Sequence, residues 1–329
     1  MTETAKPVIA TAGAGRMGQG IAQVFAHGGY AVTMIDLKQR PTGEARETGT
    51  RALGEIERTL GFLASLDVIT EAQAQRILGR ISFIPAGGAE QALAGAGIIF
   101  EGVPEVLEIK QQALGLISRA ADPGALIAST TSTMLVTQLA GFVTGPERFL
   151  NAHWLNPAYL IPLVEVSPGP ATTEATVERL MALLGSIGKV PVRCAASPGY
   201  IVPRLQAAAM NEAARMVEDG VASPAEIDQA VRVGFGLRYA SMGLLEFIDW
   251  GGVDILYYAT NYLNKALDAE RFQVPEIIEK MMRDGRLGMR EGQGFYDFSE
   301  MDVDAYQRQM LSRFVTLLKQ MELLPPAAD

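Results

Sequence analysis

The sequence predicts an α/β chain in two parts, a doubly wound sheet domain over residues 1–196 and an all-α domain over residues 197–329. Three observations predict it. Short apolar runs alternate with helical stretches through the first part, the pattern of a parallel sheet with crossover helices. A Gly-x-Gly-x-x-Gly turn, Gly13 to Gly18, stands between the first apolar run and the first helical pattern. Beyond Cys194-Ala-Ala-Ser-Pro-Gly199 the strand signal fades and helical periodicity takes over.

Val8 to Ala12 reads as a short buried strand. The glycine turn follows, then a helix with Ile21, Val24 and Phe25 on one face, stopped at Gly28-Gly29. A second strand, Tyr30 to Ile35, ends at Asp36, eighteen residues after Gly18. One such glycine triplet is a weak signal; strand, turn, helix, strand and acid together are a strong one for a dinucleotide. Gly13 permits the tight turn, Gly15 lets backbone approach a pyrophosphate, and Gly18 lets helix and strand pack closely. The first amides of the helix, from Arg16 and Met17 onward, point at the phosphates. Asp36 binds ribose hydroxyls and repels a 2′-phosphate, so NAD is expected over NADP, although Lys38 and Arg40 stand close. A βαβ unit without ligand is the competing reading.

Residues 40 to 80 are expected to be helical, with Ile56, Leu60 and Leu63 on one face and a capping box at Thr70-Glu-Ala-Gln73. Strands are expected at Ile81 to Ile84, Gly97 to Val103, Ala125 to Ser129 and Phe149 to Trp154. Two of them close on polar segments, Glu101-Gly-Val-Pro-Glu105 and Ser129-Thr-Thr-Ser-Thr133. Ligands of such sheets sit beyond the carboxyl ends of the strands. An ordinary helix cap explains the Ser/Thr run equally well.

Within Asn151 to Glu165 stands His153, one of two histidines, with Glu165 twelve positions on. Histidine titrates near neutrality and is the usual proton acceptor in catalysis. A carboxylate behind the ring sets its tautomer and stabilises the imidazolium. A solvated histidine and a strand-end glutamate is the plainer reading of this pair alone. The other histidine, His27, ends the first helix and is expected to cap it.

In the second part Tyr200 to Asp219 reads as one long helix. Ser223-Pro-Ala-Glu226 is a capping box opening the next. Further helices are expected at Val253 to Leu267, Pro275 to Arg283 and Ala305 to Leu323. Leu244, Leu245, Phe247, Ile248 and Trp250 are much apolar surface for a small domain, which points to a homodimer through it.

Composition narrows the partners. A net charge of −9 argues against nucleic acid, while backbone dipoles still bind an anionic cofactor. No apolar run is long enough to span a bilayer, and Met1 to Pro7 lack a signal-peptide pattern. A single cysteine, Cys194, excludes an internal disulfide and fits the cytoplasm. No Cys/His cluster suggests a metal.

Together these motifs resemble the L-3-hydroxyacyl-CoA dehydrogenase superfamily over almost the whole chain. The matching runs are Gly13 to Gly18, Glu101 to Glu105 with Lys110, Ser129 to Ser132, and His153 to Glu165 with Asn156-Pro157. Ser197-Pro-Gly-Tyr-Ile-Val-Pro-Arg204 and Glu291-Gly-Gln-Gly-Phe-Tyr296 match as well. The resemblance implies a Rossmann-like domain, NAD, and oxidation of a secondary alcohol β to a carboxyl or thioester. It implies that His153 takes the hydroxyl proton and Glu165 orients it. Ser132 and Asn156 then hold substrate oxygens, and Glu105 and Lys110 line the nicotinamide-ribose end. Arg290 stands where relatives have a lysine near the cofactor.

Three departures bear on the substrate. Pro203 replaces an asparagine of the CoA-thioester relatives. Gly61-Phe-Leu-Ala-Ser-Leu66 lacks the lysines with which they grip CoA phosphates, although Thr59 keeps a hydroxyl. Gly234 to Gly243 is longer than their version and is similar to that of L-gulonate 3-dehydrogenase (lambda-crystallin) and carnitine dehydrogenase, which oxidise free acids. Its Arg238 suits a free carboxylate held bidentately; a surface ion pair is the alternative. Three readings therefore stand: a 3-hydroxyacyl-CoA dehydrogenase of fatty acid metabolism, a free-acid dehydrogenase, and a non-catalytic, crystallin-like NAD binder.

Overall fold

The structure, a computed structural model, describes residues 6–324. It divides into two compact units, Met1–Met210 and Asn211–Asp329.

The first unit is built on one eight-stranded sheet. Its strands are β1 (Ile9–Ala12), β2 (Val32–Ile35), β3 (Ile81–Ile84), β4 (Ile98–Glu101), β5 (Leu126–Ser129), β6 (Phe149–Trp154), β7 (Leu163–Pro168) and β8 (Val190–Arg193). They lie in the order β3-β2-β1-β4-β5-β6-β7-β8. Every pair is parallel except β6 with β7. Strands β1, β4, β5 and β6 are buried at every position, as central strands covered on both faces must be.

The covering helices sort by face. Ile21 and Phe25 of α1 (Arg16–His27) and Ile56 and Leu60 of α2 (Thr42–Ser65) share one core with Ile77 of α3 (Glu71–Leu78). Leu93 of α4 (Ala89–Ala94) and Leu114 and Ile117 of α5 (Leu107–Ala120) form the other with Leu139 of α6 (Val136–Leu139). Leu180 and Leu184 of α7 (Glu174–Ser186) return to the first face. Each such side chain contributes about 1.5–3 kcal/mol on burial. The strand order reverses between β1 and β4, and a crevice opens at the carboxyl ends of these strands in folds of this kind. The expected capping box of α3 forms in both directions, Thr70 with Gln73.

Two strands, β7 and β8, carry no clear sequence signal. Pro162 precedes β7, Pro168 ends it, and Pro191 falls inside β8. The sheet tolerates Pro191 because β8 is its edge, where a missing N–H goes unclaimed. The consequence is functional: β7 turns back antiparallel to β6 and pairs His153 with Glu165 in direct register.

The contact boundary falls inside α8 (Val202–Glu218), the long helix expected from Tyr200 onward. The second unit is helical. It holds α9 (Pro224–Ala230), α10 (Gly236–Tyr239), α11 (Leu244–Gly251), α12 (Val253–Leu267), α13 (Glu276–Arg283) and α14 (Val303–Gln320). Ser223 and Glu226 cap α9 reciprocally, as expected. A π-turn over Val231–Phe235 joins α9 to α10. Buried Asp249 accepts the Phe295 and Tyr296 amides at 2.9 and 2.8 Å, tying down the Glu291–Tyr296 run. The core around Val253, Ile278 and Met281 is small, and Ile255, Tyr258 and Tyr262 of α12 stay exposed. No helix among the described residues is long and apolar enough to cross a membrane.

Candidate active site

His153 and Glu165 face each other across β6 and β7, with Nδ1 and Oε2 2.8 Å apart. A carboxylate only accepts, so Nδ1 carries the proton, and Nε2 is the nitrogen turned away from Glu165. The other carboxylate oxygen, Oε1, accepts the Ile201 and Val202 amides at 2.8 and 2.9 Å. Glu165 has no solvent exposure and His153 only 4%. A buried carboxylate is tolerated when its lone pairs are taken, and these three donors take them. The result is a buried imidazole held in one orientation by Glu165.

Tyr200 completes the arrangement and went unsingled in the sequence. Its ring stacks flat on the His153 imidazole, centroids 4.9 Å apart and planes 4° apart. The backbone there is left-handed, φ +46° after Gly199 at +75°, a conformation that turns the chain so its next amides reach Glu165. The Tyr200 hydroxyl donates to the Thr131 carbonyl at 2.9 Å and accepts from Asn151 Nδ2 at 3.0 Å. Burial pushes this phenol above the usual tyrosine range. The only sequence signal was position, directly after the Ser-Pro-Gly junction.

The ends of β4 and β5 form a second polar cluster. Glu101, fully buried, takes Lys110 Nζ at 3.0 and 3.1 Å, the Ser129 hydroxyl at 2.5 Å and the Val103 amide at 2.8 Å. Lys110 also reaches Glu105, 3.3 Å away. Glu105 accepts from the Thr131 hydroxyl, from the Ser132 and Thr133 amides at 3.0 Å each, and from the Thr133 hydroxyl at 2.9 Å. Lys110 is 1% exposed, so it acts from beneath Glu105. The Ser132 side chain is exposed beside this cluster.

Partial burial raises the Glu105 pKa, but the Thr131 hydroxyl, the Lys110 charge and the Thr133 contacts outweigh it and bring it down to about 2. A carboxyl lowered from 4.5 to about 2 stabilises the fold fully above its unfolded value, and this contribution is lost as pH falls through that interval. Thr131→Val removes one of those donors. It is expected to move the acid-unfolding midpoint, followed by circular dichroism, to higher pH; an unchanged midpoint would show that the hydroxyl does not hold Glu105.

The glycine turn fits a pyrophosphate. A Cβ on Gly15 would meet nothing within 4 Å, so its backbone faces open space. A Cβ on Gly18 would lie 1.8 Å from the Gly13 carbonyl oxygen, and Gly13 itself sits at φ +127°. No side chain caps α1 and its first turn has no acid, so its leading amides stay available to an anion. Arg16 is exposed there, whereas Met17 packs on the core. Asp36 directly follows β2, and Arg40 Nε donates to it at 2.6 Å. His27 is the last residue of α1.

A groove of about 560 Å³ lies on the same unit, lined by Arg16, Arg58, Thr59, Phe62, Asn156 and Tyr159. Two arginines thus stand where the run Gly61–Leu66 has no basic group; Arg58 lies just before that run and went unremarked in the sequence. Asn156 is exposed, on the loop between β6 and β7. Buried Lys189 holds that loop from behind, donating to the Ala158 and Ile161 carbonyls at 2.5 and 2.8 Å over the Trp154 ring. Burial lowers its pKa from the lysine range. Lys189→Met strands two carbonyls and is expected to destabilise the protein by about 1–3 kcal/mol in urea unfolding. An unchanged midpoint would mean that water replaces the amine.

Two expected residues belong to the second unit. Arg238, on α10, lies over the Phe247 ring at 5.4 Å and has no ion pair among the described residues. Arg290 pairs with Asp254 at 3.3 Å and Glu291 at 3.2 Å.

Known proteins match this chain over most of its length. The family model described as 3-hydroxyacyl-CoA dehydrogenase, NAD binding domain, matches residues 8–197. The corresponding C-terminal domain matches residues 199–298. A 3-hydroxyadipyl-CoA dehydrogenase of Escherichia coli is 35% identical over 88% of this chain, which spans only 58% of that relative. A probable 3-hydroxybutyryl-CoA dehydrogenase of Bacillus subtilis is 32% identical over 89% of this chain and 97% of its own. Among solved structures, a 3-hydroxyacyl-CoA dehydrogenase of Archaeoglobus fulgidus superposes with a TM-score of 0.76 at 29% identity, covering 97% of this chain and 100% of that one.

Proposed function

Because the chain belongs to the 3-hydroxyacyl-CoA dehydrogenase family, we propose that it oxidises an L-3-hydroxyacyl-CoA to the 3-oxoacyl-CoA, with His153 as the proton acceptor. The observation that carries this reading is the buried His153–Glu165 pair at 2.8 Å, with three donors on one carboxylate. NAD, when bound, supplies the acceptor for the hydride. His153 Nε2 takes the proton from the substrate hydroxyl. Positive charge then spreads over a ring whose Nδ1–H points at Glu165, and the carboxylate stabilises it. Tyr200, stacked on the ring, keeps its plane fixed while the proton moves. Ser132 and Asn156 hold the substrate oxygens; Glu105, placed by Lys110, meets the nicotinamide ribose. The Gly13–Gly18 turn, with the amides of Arg16 and Met17, holds the pyrophosphate, and Asp36 the adenosine ribose. Arg290, inside the stretch matched by the C-terminal family domain over residues 199–298, is a cofactor residue on the family resemblance alone; its guanidinium pairs with Asp254 and Glu291.

Arg16 and Arg58 in the groove support an anionic substrate such as a CoA thioester, since arginine pairs with phosphate through charge-assisted hydrogen bonds. A free 3-hydroxy acid is the second reading, favoured by Arg238, whose guanidinium lacks an ion pair among the described residues. A homodimer through the helical unit fits the exposed Ile255, Tyr258 and Tyr262. A place in fatty acid metabolism goes with the CoA reading, and the single Cys194 is what favours the cytoplasm. The test is NADH formation with a panel of L-3-hydroxyacyl-CoA thioesters and the matching free acids. Turnover of thioesters supports the proposal. Turnover of free acids alone, with a Michaelis constant raised in Arg238→Ala, supports the second reading. NAD binding without any turnover would sink both.

A further inference from the structure

The carboxylate expected to read the adenosine ribose is not a bare charge. Asp36 Oδ2 accepts from Arg40 Nε at 2.6 Å, and Oδ1 accepts from the Lys38 amide at 3.2 Å. The two side chains are 11% and 25% exposed, so the pair is ordered yet open to a ligand at its rim. Only Nε of the guanidinium is engaged; its two amino groups have no acceptor among the described residues. An aspartate at this position ordinarily excludes a 2′-phosphate by like-charge repulsion, and an arginine nearby ordinarily accommodates one. Here both are present and already bound to each other.

We infer that Arg40 sets how strongly this protein distinguishes NAD from NADP, by offering its free amino groups to a 2′-phosphate while Asp36 serves the ribose diol of NAD. The inference rests on the glycine turn being a dinucleotide site. The pair is neutral as a unit, so the repulsion that Asp36 exerts is already partly cancelled. Arg40 keeps its Nε bond to Asp36 and extends the other edge of its fork to the phosphate, as a planar guanidinium can and an ammonium cannot. The preference for NAD is then graded rather than strict.

Calorimetric titration of the whole chain with NAD and with NADP tests this without turnover. The unmodified protein is expected to bind both, NAD the more tightly. In Arg40→Ala, NADP affinity is expected to fall about tenfold or more and NAD affinity less than about threefold. Arg40→Lys, which keeps the charge and loses the fork, is expected to fall between. Asp36→Ala is expected to make NADP the better ligand. The inference is overturned if Arg40→Ala leaves the ratio of the two affinities unchanged. It is equally overturned if NAD weakens as much as NADP, since Arg40 would then only orient Asp36. Failure of the unmodified protein to bind either nucleotide overturns the dinucleotide site itself, and this inference with it.

Discussion

His153→Ala is expected to lower kcat by about 10²–10⁴-fold, the usual contribution of a positioned general base. NAD affinity is expected to stay within about threefold, because the glycine turn is built from β1, α1 and β2 and takes nothing from the histidine. The partner variant separates the two members of the pair. Glu165→Gln keeps the size of the side chain but puts an amide where a carboxylate held three donors. Either Nδ1–H or the Ile201 and Val202 amides then lose an acceptor. Glu165→Gln is therefore expected to lower kcat less than His153→Ala does, because the ring remains. Both are expected to lower stability by about 1–3 kcal/mol: Glu165→Gln strands a donor, and His153→Ala strands the buried Oε2. Steady-state rates and urea unfolding on the same preparations check this. If His153→Ala kept more than a tenth of the rate, the ring would not be the proton acceptor.

The glycine turn offers the second large effect, and it splits by position. Gly18→Ala puts a methyl group 1.8 Å from the Gly13 carbonyl oxygen, where only backbone can yield. Displacing α1 from β1 is expected to lower the melting temperature by several degrees, in line with overpacking costs of about 1–3 kcal/mol. Gly15→Ala meets nothing within 4 Å and is expected to melt as the parent does. Its methyl group instead occupies the space open to a pyrophosphate, so NAD affinity is expected to fall about tenfold or more. Melting curves with and without NAD measure both. Equal affinity in Gly15→Ala would place the phosphates elsewhere.

Much of this protein is legible along the chain. Alternating strands and helices, the glycine triplet followed by Asp36, and the two capping boxes are local patterns, and local patterns survive into the fold because short-range geometry imposes them. The proposed NAD site is of this kind: Gly13, Gly15, Gly18 and Asp36 lie within one βαβ unit. Even there, the Arg40 bond to Asp36 was visible only as proximity, since spacing does not say which way a side chain turns.

The pairing of His153 with Glu165 was readable as residue types and not as a contact. Twelve positions between His153 and Glu165 fit many arrangements; the antiparallel return of β7, hidden by its flanking prolines, is what brings Nδ1 to Oε2. Tyr200, Glu101 and Lys189 were harder still. Their partners lie dozens of residues away or on neighbouring strands, and each owes its role to being buried against those partners. Sequence by itself determined the βαβ turn and the helical or extended character of most segments, because backbone sterics and periodic burial act within a few residues. Tertiary structure alone decided which buried charges meet, because desolvation makes an unpaired charge intolerable and only the packed sheet supplies its counterpart.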